Sequence, residues 1–207
     1  MASPTRGANR GGGAGASVTE LILASGSPRR RALLQTAGWP ARVLIPEVDE
    51  LQATGEAAEA YVLRLAESKA RAVLPRVDPT AVILAADTCV LLDGEVMGKP
   101  QDEADARAML GRLQGREHAV LTGVCVLSGE RAITAVERTR VWFAPLSAVA
   151  IAAYVGSGEA LDKAGAYGIQ GRAAPYIPRI EGCYFNVVGL PLATVRRLLQ
   201  GVGYSVP

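Results

Sequence analysis

The sequence predicts an α/β fold in which a twisted mixed sheet is flanked by helices. Short apolar runs typical of buried strands alternate along the chain with amphipathic segments typical of helices. The 207 residues are 49% hydrophobic and 20% charged, which is enough apolar material for one substantial core or two small lobes. Glycines and prolines separate short elements throughout, so we expect one domain over residues 19–207 and no long linker.

Composition also limits the classes of partner. Residues 1–18 are rich in glycine, alanine and serine and lack an apolar core, so we expect a disordered tail, not a signal peptide or membrane anchor. No apolar run reaches the length that spans a bilayer. A net charge of only +2 argues against nucleic acid and favours a local site for small anions. Three separated cysteines without metal-ligand spacing indicate reduced, buried thiols in a cytoplasm: Cys89, Cys125 and Cys183.

The first predicted strand, Leu21–Leu23, leads into a short helix. Ser27 is a good N-cap and Pro28 suits the first helical position, so we expect a helix over about residues 29–37. Its first turn would direct unpaired backbone N–H groups and a partial positive charge toward the preceding loop.

Two adjacent arginines make this turn a candidate anion site. The hydroxyls of Ser25 and Ser27 and the guanidinium groups of Arg29 and Arg30 are expected to converge at the loop. Cations at a helix N-terminus cost a few tenths to about 1 kcal/mol unless an anion offsets the repulsion. The alternative is a capped surface helix with solvated arginines.

The later elements follow from periodicity and capping residues. Asp102 is placed to cap a helix and Gly115 to end it. Asp93-Gly94 between two apolar runs is a hairpin signal. The predicted helices cover residues 56–72, 102–113, 147–154 and 192–200, and the predicted strands cover residues 82–86, 89–92, 95–97, 119–127, 132–143 and 176–180.

One lysine and one aspartate stand out within these elements. Lys69 shares a helix face with Tyr61 and Leu65, an unusual position for a lysine without a role. Asp87 ends a predicted buried strand, where a carboxylate must be paired, hydrated or bound to a metal. It could hold Mg²⁺ or accept a proton from water, and the alternative is a turn-capping residue.

A second pair of carboxylates follows an apolar segment. Glu50 could supply a further oxygen ligand to a divalent cation, and Asp49 lies beside it. The alternative for both is a solvated turn. Phosphate bound at the loop after the first strand would favour the metal-site interpretation, because phosphoryl chemistry combines basic groups with a carboxylate-bound cation.

Other motifs do not carry chemistry. Residues 94–99 are one residue short of a phosphate-binding Walker loop, and Pro100 stands where Ser or Thr would contact Mg²⁺. His118 is the single histidine and has no partners at triad or zinc spacing, so we expect a structural or surface role.

Seven short segments resemble the motifs of the Maf family of nucleoside triphosphate pyrophosphatases, and their order and spacing along the chain resemble those of the family as well. The similarity covers about residues 20–201. The segments are SGSPRR (25–30), VDE (48–50), KA (69–70), ADT (86–88), GKP (98–100), DKAGAYGIQG (162–171) and NVVGLP (186–191).

The resemblance implies a Maf/ITPase-like fold with two lobes around a central nucleotide-binding cleft. It implies cleavage between the α and β phosphates with a divalent cation, Mg²⁺ or Mn²⁺, removal of non-canonical nucleotides, a homodimer and a link to arrest of septum formation. Asp87 is then the expected proton acceptor, and Glu50 joins it as a metal-side carboxylate. The residues expected around the phosphates are Ser27, Arg30, Lys69 and Lys99.

Selectivity is expected from Arg29, Thr88 and Gln170, which resemble the branch that hydrolyses dTTP and UTP. In the 7-methyl-GTP branch a glutamate stands at the position of Gln170. A glutamine amide can match both N3–H and a carbonyl of uracil or thymine, although it could instead make only backbone contacts. Lys163 could contact phosphate or pair with Asp162. A nucleotide sensor or septum-interaction protein that has lost hydrolysis is the alternative function.

Overall fold

The computed structural model describes residues 19–206, and the tail predicted for residues 1–18 lies outside them. Six α-helices and seven strands form this part of the chain. In chain order they are β1 (Leu21–Ala24), α1 (Pro28–Thr36), β2 (Arg42–Leu44), α2 (Ala58–Val73), β3 (Val82–Leu92), β4 (Glu95–Met97), α3 (Glu103–Leu113), β5 (Glu117–Ser128), β6 (Arg131–Trp142), α4 (Ala148–Val155), β7 (Arg179–Glu181), α5 (Tyr184–Val188) and α6 (Leu192–Gly201).

The strands form one mixed sheet. Its order is β2-β1-β3-β5-β6-β7, and β4 pairs with the second half of β3. Strand β1 pairs in parallel with β2 and β3, whereas the remaining pairs are antiparallel. The mixed sheet flanked by helices that the sequence predicts is therefore confirmed.

Side chains of successive strand residues alternate between the two faces of the sheet. On one face, called the α2 face below, Ile83 and Ala85 of β3 pack with Ala66 and Ala70 of α2. On the opposite face, Val82 and Leu84 join a core that includes side chains of α1 and α6.

The opposite face carries a second core farther along β3. Val90 and Leu92 pack there with Leu110 of α3 and Val155 of α4. The core around α1 and α6 and the core around α3 and α4 thus form the two predicted lobes, and the structure places both on one face of a shared sheet.

Two N-caps, Ser27 and Asp102, are confirmed at the predicted residues, and Ser147, the first residue of the helix predicted over residues 147–154, is a third cap. The side chain of Ser27 caps α1, Asp102 caps α3 and Ser147 caps α4, each by accepting a hydrogen bond from a backbone N–H of the first turn. The hairpin turn is also confirmed, because Asp93 and Gly94 have φ values of 53° and 84°, the left-handed values such turns require.

Two predicted strand limits are wrong. The strand predicted to end at Asp87 continues to Leu92, because β5 pairs along this whole length and satisfies the backbone beside the polar residues. The strand predicted over residues 176–180 is Arg179–Glu181, because the proline in Ala174–Tyr176 begins a short 3-10 turn that removes Tyr176 from the sheet.

Burial differs among the three cysteines. Cys89 and Cys125 are buried, as predicted, and all three thiols are free. Cys183 is only partly buried, because it precedes the short surface helix α5. No helix within residues 19–206 has both the length and the apolar character needed to cross a membrane.

Candidate active site

The candidate site opens where β3 loses its neighbour on one side. Strand β1 pairs with Val82–Ala85 of β3, and β4 pairs with Val90–Leu92. Between these two strands, residues 86–89 of β3 pair only with β5 among the described strands. Side chains from both faces of the sheet can reach this gap.

A pocket of about 460 Å³ occupies the gap, a volume within the range of roughly 300–1,000 Å³ typical of small-ligand sites. Its walls come from the loop after β1, from β3 and from the glycine-rich segment 162–171. The structure brings all nine predicted site residues to this pocket: Ser27, Arg29, Arg30, Glu50, Lys69, Asp87, Thr88, Lys99 and Gln170.

The loop after β1 forms the first wall and is fixed by two serines. The Ser25 hydroxyl accepts a hydrogen bond from the Ser27 backbone N–H at 3.1 Å, and the Ser27 hydroxyl accepts one from the Arg30 backbone N–H at 3.4 Å. The first turn of α1 contains no acidic residue. The positive end of this helix therefore adds to the cationic side chains of the pocket.

The Arg30 guanidinium crosses the pocket and is held at three points. Its Nε donates to the Gly189 carbonyl at 2.8 Å, Nη1 to the Ser25 hydroxyl at 3.3 Å and Nη2 to the Thr88 hydroxyl at 3.0 Å. Burial lowers the pKa of Arg30, while the nearby Asp87 carboxylate acts to raise it. A charge that is fixed and partly desolvated favours an anionic ligand.

Arg29 does not share these contacts. Its Nη1 donates to the Asp162 carboxylate at 2.8 Å, which ties α1 to the glycine-rich segment on the other side of the pocket. Both residues are partly solvent-exposed, so the ion pair is weak and a ligand can take the place of Asp162 beside Arg29.

The α2 face supplies a buried lysine between two carboxylates. Lys69 Nζ lies 2.5 Å from Asp87 Oδ1 and 2.5 Å from Glu50 Oε1. The side chains of Lys69 and Asp87 are only 8% and 11% exposed, whereas Glu50 is half-exposed. Of the three environments expected for the Asp87 carboxylate, paired, hydrated or metal-bound, the structure shows pairing, and this pairing explains the core-facing position of Lys69.

Close packing of α2 on the sheet makes this contact possible. Gly123 lies directly opposite Asp87 in the β3–β5 ladder. A Cβ at Gly123 would lie 2.3 Å from the Val62 carbonyl oxygen, so only glycine lets α2 come this near. Lys69 follows Val62 by two helical turns on the same side of α2 and therefore reaches Asp87.

The Glu50 carboxylate lies among the cations of the pocket, and its backbone is held by a hydrogen bond. Partial burial acts to raise its pKa, but the Lys69, Lys99 and Arg30 cations outweigh this and hold the pKa below its ordinary value. Lys99 Nζ lies 3.8 Å from Glu50 Oε2 and is well exposed. The Tyr61 hydroxyl donates to the Glu50 backbone carbonyl at 2.9 Å and fixes the loop.

Glu50 and Asp87 are the carboxylates of the pocket that could hold a divalent cation together with a phosphate ligand. No group of three or more His, Cys, Asp or Glu side chains in residues 19–206 could hold a metal alone. Glu50 and Asp87 each use one oxygen for Lys69, and the second Glu50 oxygen makes only the long 3.8 Å contact with the exposed Lys99. Because Mg²⁺ is usually held by one or two carboxylates plus substrate phosphates, this donor set suits it.

The glycine-rich segment forms the remaining wall. Gly165 has a φ of 66° and donates its N–H to the Gly98 carbonyl at 2.9 Å, which holds the segment beside Lys99. Lys163 pairs with Asp162, donates to the Glu159 carbonyl and also borders the pocket. Gln170 is exposed at the mouth of the pocket, where its amide can meet a ligand.

His118 has the predicted structural role. It is 3% exposed, its Nε2 lies 2.7 Å from the Tyr167 hydroxyl, and its ring stacks on Phe143. Burial lowers the pKa of His118 to about 4. Through its contact with Tyr167, the buried ring supports the glycine-rich segment from the protein interior.

Four residues that contact pocket residues have no site role in the sequence-based predictions: Tyr61, Thr122, Asp162 and Asn186. Thr122 and Asn186 are fully buried, and Tyr61 was considered only as a core position. A polar residue inside an apolar run, as Thr122 is within β5, was the available signal.

The fold and the pocket define an α/β protein that accommodates a small, strongly anionic ligand. The sequence model of the family described as Maf-like protein matches residues 20–202. The chain therefore belongs to the Maf family.

Relatives agree over nearly the whole length. A protein from Symbiobacterium thermophilum named dTTP/UTP pyrophosphatase is 54% identical over 91% of this chain and 97% of its own. A protein of the same name from Anaeromyxobacter dehalogenans is 50% identical over 90% of this chain and 96% of its own. Among solved structures, the Ham1 protein of Staphylococcus aureus aligns over 59% of this chain and 70% of its own, with 19% identity and a TM-score of 0.39.

Proposed function

We propose that this protein is a nucleoside triphosphate pyrophosphatase that hydrolyses dTTP, UTP and modified pyrimidine triphosphates to the monophosphate and pyrophosphate. The observation that carries the proposal is the convergence of Arg30, Lys69 and Lys99 with the Asp87 and Glu50 carboxylates in one pocket. The name shared by relatives about half identical to this chain supports the same activity.

The cations and the α1 N-terminus would bind the triphosphate. Arg30 is fixed by three hydrogen bonds, so little orientation entropy is lost when it meets a phosphate. Lys99 is exposed and weakly paired, so it can move to an incoming phosphate as a mobile point charge. The Ser27 loop supplies the end of the helix dipole.

Asp87 would accept the proton of the attacking water. The water oxygen bonds to the α-phosphorus, the bond from that phosphorus to the α–β bridging oxygen breaks, and pyrophosphate leaves with the bonding electrons. Lys69 fixes the Asp87 carboxylate by pairing with one of its oxygens. A Mg²⁺ or Mn²⁺ ion held by Glu50 and Asp87, when bound, would neutralise charge on the phosphates.

Three residues that border the pocket would determine its selectivity for the nucleotide base. Gln170 offers both a donor and an acceptor, which match the N3–H and a carbonyl of uracil or thymine. Arg29 and Thr88 border the same pocket from α1 and β3. A glutamate at position 170 could only accept hydrogen bonds when ionised, so it would not satisfy a pyrimidine carbonyl.

Release of pyrophosphate from a panel of nucleoside triphosphates with Mg²⁺ or Mn²⁺ tests the proposal. We expect dTTP and UTP to be cleaved between the α and β phosphates with a higher kcat/KM than CTP or the purine triphosphates. Preferred cleavage of 7-methyl-GTP would instead assign the protein to the 7-methyl-GTP branch of the family. Nucleotide binding without turnover would support the sensor alternative.

A homodimer and a cytoplasmic location complete the proposal. The homodimer rests on the family resemblance, and the cytoplasmic location rests on the three free cysteines. Sedimentation of the purified protein tests the homodimer, and a single species with the mass of one chain would contradict it.

A further inference from the structure

Thr122 lies beneath the pocket without lining it. It is fully buried in the middle of β5 and lies directly opposite Thr88 in the β3–β5 ladder. Residues opposite each other in an antiparallel ladder point to the same face, and the two hydroxyl oxygens are 2.9 Å apart. Thr122 therefore contacts a pocket residue from the protein interior.

The contacts of Thr122 fix the direction of this hydrogen bond. Its hydroxyl has one proton, and its other partner is the Asn186 backbone carbonyl at 3.2 Å, which can only accept. Thr122 donates to Asn186, so the Thr88 hydroxyl must donate to Thr122. Arg30 Nη2 in turn donates to Thr88, which gives a chain with one direction from Arg30 to Asn186.

The far end of this chain is firmly anchored. Asn186 is fully buried, and its Nδ2 donates to the Val120 carbonyl at 3.0 Å and to the Thr139 hydroxyl at 2.9 Å. These contacts attach α5 to both β5 and β6. The Gly189 carbonyl just after α5 accepts from Arg30 Nε, so one short segment holds both ends of the chain.

We propose that Thr122 is a positioning residue that locks the Thr88 hydroxyl and, through it, the Arg30 guanidinium in the orientation that binds phosphate. Loss of the Thr122 hydroxyl removes the acceptor of the Thr88 proton, which can then turn toward Arg30 Nη2; two donors face each other there, and the Arg30–Thr88 hydrogen bond is lost. The phosphate-binding cation then loses its fixed orientation. The proposal deepens the proposed function and rests on it for the binding of phosphate by Arg30 and for the kinetic readout, but not for nucleotide hydrolysis.

Binding of inorganic triphosphate by Thr122→Val and Thr122→Ser tests the role without requiring turnover. Valine matches the shape of threonine without the hydroxyl, and serine restores it. We expect Thr122→Val to bind triphosphate about three- to tenfold more weakly than wild type, the value of one hydrogen bond, and Thr122→Ser to recover most of that affinity. The kcat for UTP is expected to fall less than kcat/KM.

Thr194→Val is the matched control. Thr194 is a buried threonine of α6 whose hydroxyl donates to Glu137, and it does not border the pocket. We expect this variant to bind triphosphate like wild type even if its Tm falls. Wild-type affinity in Thr122→Val, equal losses in Thr122→Val and Thr194→Val, or failure of Thr122→Ser to recover affinity would overturn the proposal. Triphosphate binding that changes as expected in a protein that hydrolyses no nucleotide would refute the proposed function alone.

Discussion

Asp87 and Thr88 are consecutive residues of β3 that point to opposite faces of the sheet and still border the same pocket. Asp87 meets Lys69 on the α2 face, and Thr88 meets Arg30 on the other. This is possible because β1 ends and β4 begins on either side of them, which leaves a gap in the sheet. One pocket thereby combines groups from both layers of helices.

Substitution of Asp87 by asparagine tests the proton acceptor. Asparagine keeps the shape but cannot take a proton from water, so we expect kcat for UTP to fall by about a hundredfold or more while UTP affinity stays within about threefold. Pyrophosphate release and calorimetric binding measure the two quantities. Asp49→Asn, which lies outside the pocket and keeps an acceptor for the Leu51 N–H, is the control. A kcat close to wild type in Asp87→Asn contradicts the assignment.

Removal of the Lys69 charge tests the buried ion pair. Lys69→Met leaves the buried Asp87 carboxylate without its partner, so we expect the free energy of unfolding at pH 7 to fall by about 3 kcal/mol. The double variant Lys69→Met/Asp87→Asn is expected to recover part of this loss, because no unpaired charge remains. Urea denaturation measures both variants, and additive losses in the double variant would argue against the coupling.

Substitution of Gly123 by alanine tests the close approach of α2. The new methyl group would overlap the Val62 carbonyl, so α2 must move away from the sheet. This movement would separate Lys69 from Asp87. We expect a loss of about 2 kcal/mol in stability together with a loss of activity. Gly111→Ala in α3 has open space around it and is expected to leave activity unchanged and stability equal or slightly higher. Wild-type activity in Gly123→Ala would show that the packing does not position Lys69.

Acid destabilisation is expected from His118 between pH 7 and pH 5. Its folded-state pKa of about 4 lies below the ordinary 6.5, so in this window the unfolded chain binds a proton that the folded chain does not. Stability therefore falls as the pH falls, by about 2 kcal/mol from this residue. His118→Phe cannot titrate, so its loss between the two pH values is expected to be smaller by that amount. Equal losses in denaturation of both proteins would contradict a buried neutral imidazole.

Base selectivity is tested at Gln170. A carboxylate in place of the amide removes the donor for a pyrimidine carbonyl, so we expect Gln170→Glu to lower kcat/KM for UTP about tenfold more than for GTP. Gln170→Ala removes the contact without adding charge and is expected to show a smaller difference between the two substrates. Equal losses for UTP and GTP in Gln170→Glu would show that this residue does not read the base.

Local signals in the sequence were sufficient for most elements. The caps Ser27 and Asp102 lie where predicted, because an N-cap depends only on its own side chain and the next turn. Strand β2 and helix α5 were not predicted, because three and five residues are too few to show a period. The ion pair between Arg29 and Asp162 joins residues far apart in sequence, so no local sequence pattern predicts it.

The resemblance to the Maf family placed Asp87 and Lys69 in one candidate site. The sequence by itself determined the alternation of strands and helices and the N-capped turn at Ser27, a candidate anion site. These depend on side-chain type, local capping and spacing. Only the tertiary structure decided that Asp87 lies within a continuous strand beside a gap and that Thr122 orients Thr88 from beneath. Strand pairing and hydrogen-bond direction depend on partners distant in sequence, which only the folded chain brings together.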